Sequence, residues 1–161
     1  MKCELIFLKE QKYMGIKTKI LFKEHDEIDF RRLQLDVINS DIKNRDDNER
    51  FMALDSDFQT DSFGYTPLIP VTKFEGDEYD RYIRAEGEYY CFDVHIKELG
   101  PNWFQECFKY IELNNLKMDR GFDMEYYPED FLYKMKREDP SLDNLTICII
   151  YKKLDETLNI E

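Results

Sequence analysis

The chain is short of the residues that most recognisable catalytic loops require. Its 161 residues include six glycines, five prolines, two histidines and one tryptophan. No glycine-rich phosphate loop and no Gly-x-Ser-x-Gly elbow is present. His25 and His95 lie in opposite halves, and neither has a Cys or His at ligand spacing, so no metal site is expected. The acidic runs Asp55-Ser56-Asp57 and Asp77-Glu78 lack the glycine and glutamate of a calcium loop. Asp61-Ser62 and His95 have no spacing that supports a triad. No cofactor motif is visible, and none is expected. The four cysteines, Cys3, Cys91, Cys107 and Cys148, are scattered and form no CxxC pair, which reads as free thiols in a cytoplasmic protein. Long hydrophobic runs are also missing. Leu5-Ile6-Phe7-Leu8 is too short for a signal core and is flanked by Glu4 and Glu10, and nothing approaches membrane-spanning length.

Positive charge is scarce too. Lys and Arg number 23 against 35 Asp and Glu, a net charge of -12. That balance argues against broad contact with nucleic-acid phosphates or an anionic membrane. It is compatible with cationic ligands, and it also serves solubility.

Apolar and aromatic residues are plentiful. Hydrophobic residues make up 42%, so one globular domain with a real core is expected over 1–161. Eleven Tyr and twelve Phe exceed what a core of this size needs. Rings can fill a core, lie half-buried on strands, or line a cavity.

Residues 12–22 alternate Met14, Ile16, Thr18 and Ile20 against Lys17 and Lys19, a strand pattern. A helix is expected from His25-Asp26-Glu27-Ile28-Asp29, with Phe30, Leu33, Val37 and Ile38 as its apolar positions. A charged turn at 44–49, a short strand at 51–54 and a polar loop at 55–62 follow. The stretch 63–71 is extended, but Pro67 and Pro70 mark it as an edge or interrupted strand. Residues 79–96 are extended with a break at Gly87. Gly100-Pro101-Asn102 starts a helix with Phe104, Cys107, Phe108 and Ile111 as its buried stripe. Residues 122–127 read as a strand, 128–143 as a polar connection, 145–151 as a last strand and 154–161 as a tail. Both halves, 1–77 and 78–154, therefore read strand, helix, strand, strand. The expected class is α+β, with two such units about a pseudo-twofold axis and a ligand cleft between them.

Within Gly121-Phe122-Asp123-Met124-Glu125-Tyr126-Tyr127-Pro128, alternation puts Glu125 and Tyr127 on one face and Phe122, Met124 and Tyr126 on the other. A carboxylate held among rings suits an apolar cation; the plainer alternative is a solvated strand glutamate. Trp103, at a helix start, can reach into a cleft or pack in the core. Tyr65 and Tyr89 lie on strands expected to border the cleft.

Five segments in order, Met14-Gly15-Ile16, Gly87-Glu88-Tyr89-Tyr90-Cys91-Phe92, Pro101-Asn102-Trp103-Phe104, Met124-Glu125-Tyr126-Tyr127 and Ile147-Cys148-Ile149-Ile150-Tyr151, span nearly the whole chain. In these the sequence resembles the GyrI-like small-molecule-binding family, which includes effector-binding domains of AraC-type and MerR-type multidrug regulators. The resemblance implies a pocket for bulky, lipophilic cations, with Glu125 as its carboxylate and Trp103 and Tyr127 at its border. Thr146 stands where some relatives have a second acid, which implies that charge recognition rests on Glu125. No residues remain for a fused DNA-binding domain, so a stand-alone binding module is expected. Two alternatives accompany this reading. One is hydrolysis of cyclopropane-bearing alkylating toxins, with Glu125 as general base or charge stabiliser and Tyr127 as proton donor. The other is inhibition of a protein partner.

Overall fold

In a computed structural model, which describes residues 1–155, nine strands form one antiparallel sheet. The strands are β1 (Cys3–Leu8), β2 (Gln11–Gly15), β3 (Thr18–Leu21), β4 (Met52–Ser56), β5 (Ser62–Val71), β6 (Asp80–Arg84), β7 (Gly87–His95), β8 (Asp123–Tyr126) and β9 (Thr146–Lys152). The helices are α1 (Phe30–Ile38), α2 (Pro101–Leu113) and α3 (Phe131–Lys136). The strand order is β1-β7-β9-β8-β4-β5-β2-β6, with β3 also paired to β5. The expected α+β class is what the chain adopts.

This order forces the sheet to curl. β1 stands at one end and β2 near the other, yet Leu8 and Gln11 are joined by two residues and lie at most about 11 Å apart. Arg84 of β6 and Gly87 of β7 make a second such link between the two ends. The curl creates two apolar layers. One, made from strands alone, contains Tyr13, Met52, Leu54, Leu68, Tyr89, Cys91, Met124, Tyr126 and Ile150. The other lies on the opposite face, where Val37 and Ile38 of α1, Cys107 and Ile111 of α2, and Phe131 and Met135 of α3 cover Ala53, Phe92, Ile147 and Ile149. Each fully buried Ile or Phe contributes about 1.5–3 kcal/mol.

Local chemistry sets the element ends. The Asp29 side chain accepts from the Arg32 N–H at 3.1 Å and caps α1, so the acidic run before it forms a 3-10 turn (Phe22–Glu27) rather than helix. Pro101 occupies the first turn of α2, where no N–H is required. Gly15 is obligatory, because a Cβ there would lie 2.0 Å from the Pro67 carbonyl oxygen.

Three expectations are corrected. β5 is a central, fully buried strand rather than an edge, despite its prolines. Pro67 falls in the gap where β5 passes from β3, paired up to Tyr65, to β2, paired from Leu68. Pro70 turns its backbone toward 44–46, where its carbonyl accepts from the Asp46 N–H at 2.8 Å, so β2 loses no donor. The stretch 55–62 is not all loop, since β4 continues through Asp55 to Ser56. The connection 128–143 carries α3, whose Phe131 and Met135 are one turn apart and buried. Of the tail expected at 154–161, residues 156–161 lie outside the described residues.

Candidate functional site

The site grows out of the seam between β4 and β8. Their register places Ala53 opposite Glu125 and Asp55 opposite Asp123. Alternation then puts Asp55, Asp123 and Glu125 on one face, the face covered by the helices. On the next strand Tyr65 lies opposite Asp55, and on β9 Ile149 lies opposite Glu125 with Tyr151 two residues on. Tyr127 follows directly, tied to the sheet by its N–H to the Phe51 carbonyl at 3.1 Å. Helix α1 lowers Gln34 onto this group from above.

The polar atoms form a connected network. The Tyr127 hydroxyl donates to Glu125 Oε1 at 2.8 Å, and Gln34 Nε2 donates to the Tyr127 hydroxyl at 3.0 Å and the Tyr65 hydroxyl at 2.9 Å. Tyr151 donates to Asp123 Oδ1. Asp55 lies close enough to Glu125 for the two carboxyls to act on each other. All three acids are buried, at 8%, 9% and 7% exposure for Asp55, Asp123 and Glu125. Rings close over them: Phe131 packs on Tyr127 at 4.4 Å, Phe51 meets Tyr127 edge-on at 5.2 Å, and Phe30 meets Tyr65 edge-on at 4.9 Å.

Among the described residues, no Lys or Arg forms an ion pair with any of these acids. Their protonation reflects that. Burial, then the charge of Glu125, hold Asp55 well above the ordinary carboxylate range. Burial pushes Asp123 up to about 6, against the hydrogen bond from Tyr151 and aided by Glu125. Burial and the neighbouring Glu125 also raise Tyr65 and Tyr127. The arrangement is a buried group of three carboxyls, with Asp55 and Asp123 both raised, covered by rings.

The structure brings Glu125, Tyr127 and Tyr65 together. Trp103, half-buried on α2 and edge-on to Phe104 at 5.2 Å, lies on the same side of the sheet with no hydrogen bond or ring contact to that group. Tyr89 is not brought there. It is buried in the strand-only layer on the opposite face, donating to the Ala85 carbonyl at 2.6 Å. Glu125 is also less isolated than the missing acid at Thr146 implies. Thr146 is exposed, but Asp55 and Asp123 supply two further acids from β4 and β8. Asp55 escapes a sequence reading because the polar run after it suggests a loop. Asp123 had a legible signal, since it shares the alternating face of Glu125. Gln34 had none, because a glutamine on a helix is ordinarily a solvated residue.

Compared with known protein families and with curated proteins, the sequence matches none. The fold does match solved structures. SAV2435, bound to tetraphenylphosphonium, agrees at a TM-score of 0.65 and 15% identity over 96% of this chain and 94% of that one. The EcmrR C-terminal domain gives 0.64 and 12% over 96% and 98%. A putative transcription regulation protein from Staphylococcus aureus gives 0.61 and 19% over 96% and 99%. The chain thus has a GyrI-like α+β fold, and at these identities the likeness is one of architecture. No helix among the described residues is long and apolar enough to cross a membrane.

Proposed function

We propose that this protein binds hydrophobic, cationic small molecules at the buried group of Glu125, Asp55 and Asp123, walled by Tyr65, Tyr127 and Phe131. The observation that carries the reading is three carboxyls on one covered sheet face with no basic partner among the described residues. Such acids are costly to bury, and a delocalised cation that sheds water easily relieves the cost. At an effective dielectric near 20, a charge pair at about 4 Å is worth roughly 4 kcal/mol before desolvation. A ring face adds about 0.5–2 kcal/mol. The tetraphenylphosphonium held by SAV2435 on the same fold is a ligand of this chemistry.

The group is covered in the structure, so entry requires the side chains above it to move. Helix α3 is the element to displace. It has six residues, no side-chain cap at its start, and it places Phe131 directly on Tyr127. The test is a titration with tetraphenylphosphonium or rhodamine 6G, read by calorimetry. Micromolar affinity is expected for the wild type and a loss of about tenfold or more for Glu125→Gln. Affinity equal to the wild type in Glu125→Gln and in Asp55→Asn/Asp123→Asn/Glu125→Gln removes the acids from the reading.

A hydrolytic use of the same acids draws on Asp123, whose carboxyl near 6 lies in the range of a general base. Tyr127 is a poor proton donor for it, because burial and Glu125 raise its hydroxyl. Turnover of a cyclopropane-bearing alkylator, lost in both Asp123→Asn and Glu125→Gln, is the result that places hydrolysis first.

A further inference from the structure

The opposite face of the sheet carries a second chemical grouping. The sulfurs of Cys91 and Cys148 and a carboxylate oxygen of Asp93 all lie within 4.8 Å of one another. Strands β7 and β9 set this up. Asp93 pairs with Cys148 and Cys91 with Ile150, so the two cysteines are diagonal neighbours. Diagonal Cα atoms in an antiparallel pair are about 7–8 Å apart, wider than the roughly 4.4–6.8 Å that a disulfide spans. A metal ion closes such a gap. With metal–sulfur bonds of about 2.3 Å, a tetrahedral ion holds two sulfurs about 3.8 Å apart, and a sulfur and an oxygen about 3.5 Å apart. Cys148 Sγ already lies 3.2 Å from Asp93 Oδ1.

We propose that Cys91, Cys148 and Asp93 form a site for one thiophilic divalent cation of the zinc and cadmium class, with the remaining coordination position open to water. Access fits, because Cys91 is buried at the base, Cys148 is half-buried and Asp93 is exposed. Charge fits as well. Two thiolates, one carboxylate and a divalent ion sum to −1, and the guanidinium of Arg50, whose charge acts on both sulfurs, offsets it. Binding releases the two thiol protons to solvent and involves no redox step. The overall charge of -12 raises the local concentration of cations. The site differs from the CxxC motifs absent from the sequence, because only the sheet register brings its ligands together.

The test is titration of the reduced, chelator-treated protein with cadmium chloride, read by the ultraviolet thiolate-to-cadmium charge-transfer band. The band is expected to saturate at one equivalent. It should vanish in Cys91→Ser and Cys148→Ser, and half-saturation should shift by about tenfold or more in Asp93→Asn. Asp93 is exposed, so that variant keeps the test alive should a cysteine variant fail to fold. Cys3→Ser/Cys107→Ser and Glu125→Gln should retain the full band. A full band in the folded Cys91→Ser/Cys148→Ser variant, or no band from a protein shown to carry four free thiols, overturns the proposal. So does a Cys91–Cys148 disulfide in the air-purified protein.

Discussion

Two buried polar groups lie on opposite faces of one curled sheet, built from the same residue types, and they differ in whether the acid has a cation. In the strand-only layer, the fully buried Arg84 meets Glu49 at 3.0 Å and donates to the Tyr13 hydroxyl at 2.8 Å. The Tyr126 hydroxyl donates to Glu49 at 2.6 Å. Burial alone would push Glu49 up, but hydrogen bonds from Tyr126 and from the Arg50 N–H, together with Arg84, hold it below the ordinary range. Under the helices, burial raises both Asp55 and Asp123, and the charge of Glu125 adds to each. A paired acid is a structural part. An acid whose only buried neighbours are hydroxyls and other acids is a vacancy for positive charge.

The largest test of this contrast is Arg84→Met. It leaves the half-buried Glu49 without its guanidinium partner and the Tyr13 hydroxyl without its donor, and should cost about 3–5 kcal/mol in urea unfolding. Glu125→Gln should leave stability unchanged or raise it, because it relieves like-charge crowding. Equal losses in the two variants break the comparison.

Next in size is the pH response. Between its ordinary value of 3.8 and about 6, folded Asp123 binds a proton that the unfolded chain has released. Its contribution to stability is therefore full at low pH and is lost as pH rises through about 6, at most about 3 kcal/mol. Asp55 acts in the same direction. Glu49 has the opposite sign, with a contribution present at neutral pH and lost on acidification. Unfolding free energies at pH 5 and 7.5 should show Asp123→Asn gaining on the wild type at the higher pH, and an unaltered slope in that variant refutes the assignment. Tetraphenylphosphonium at about a hundred times its Kd should stabilise the wild type by about 2.7 kcal/mol at pH 7.5, and less at pH 5, where protons compete. The smallest effects separate the tyrosines. Tyr127→Phe and Tyr89→Phe should each cost about 1 kcal/mol in stability, and only the first should weaken ligand binding.

Much of this was legible in the sequence where one strand decided it. The shared face of Glu125 and Tyr127 follows from alternation alone, as does the divergence of Met124 and Tyr126. The break at Gly87 and the start of α2 follow from backbone chemistry. What could not be read depends on pairing between distant strands. Asp55 enters the site because β4 pairs with β8, and Tyr89 leaves it because the β7 register turns its ring to the other face. Pro67 and Pro70 misled for the same reason, since a strand's tolerance for proline depends on which neighbour its N–H faces. Helix α3 has six residues and lies between the charged runs Glu129-Asp130 and Arg137-Glu138-Asp139, so its two buried residues are a weak signal.

The pairing of β4 with β8 also bears on how the molecule is made. It joins segments from the two halves of the chain, and β1 likewise pairs with the distant β7. Contacts this distant in sequence slow folding, because loop-closure entropy is lost before the contact forms. On a ribosome, Asp55 emerges long before Asp123 and Glu125. A growing polypeptide is spared the crowding of three acids until β8 has been made, and a cationic dye should be ignored by a truncated translation product that stops short of β8.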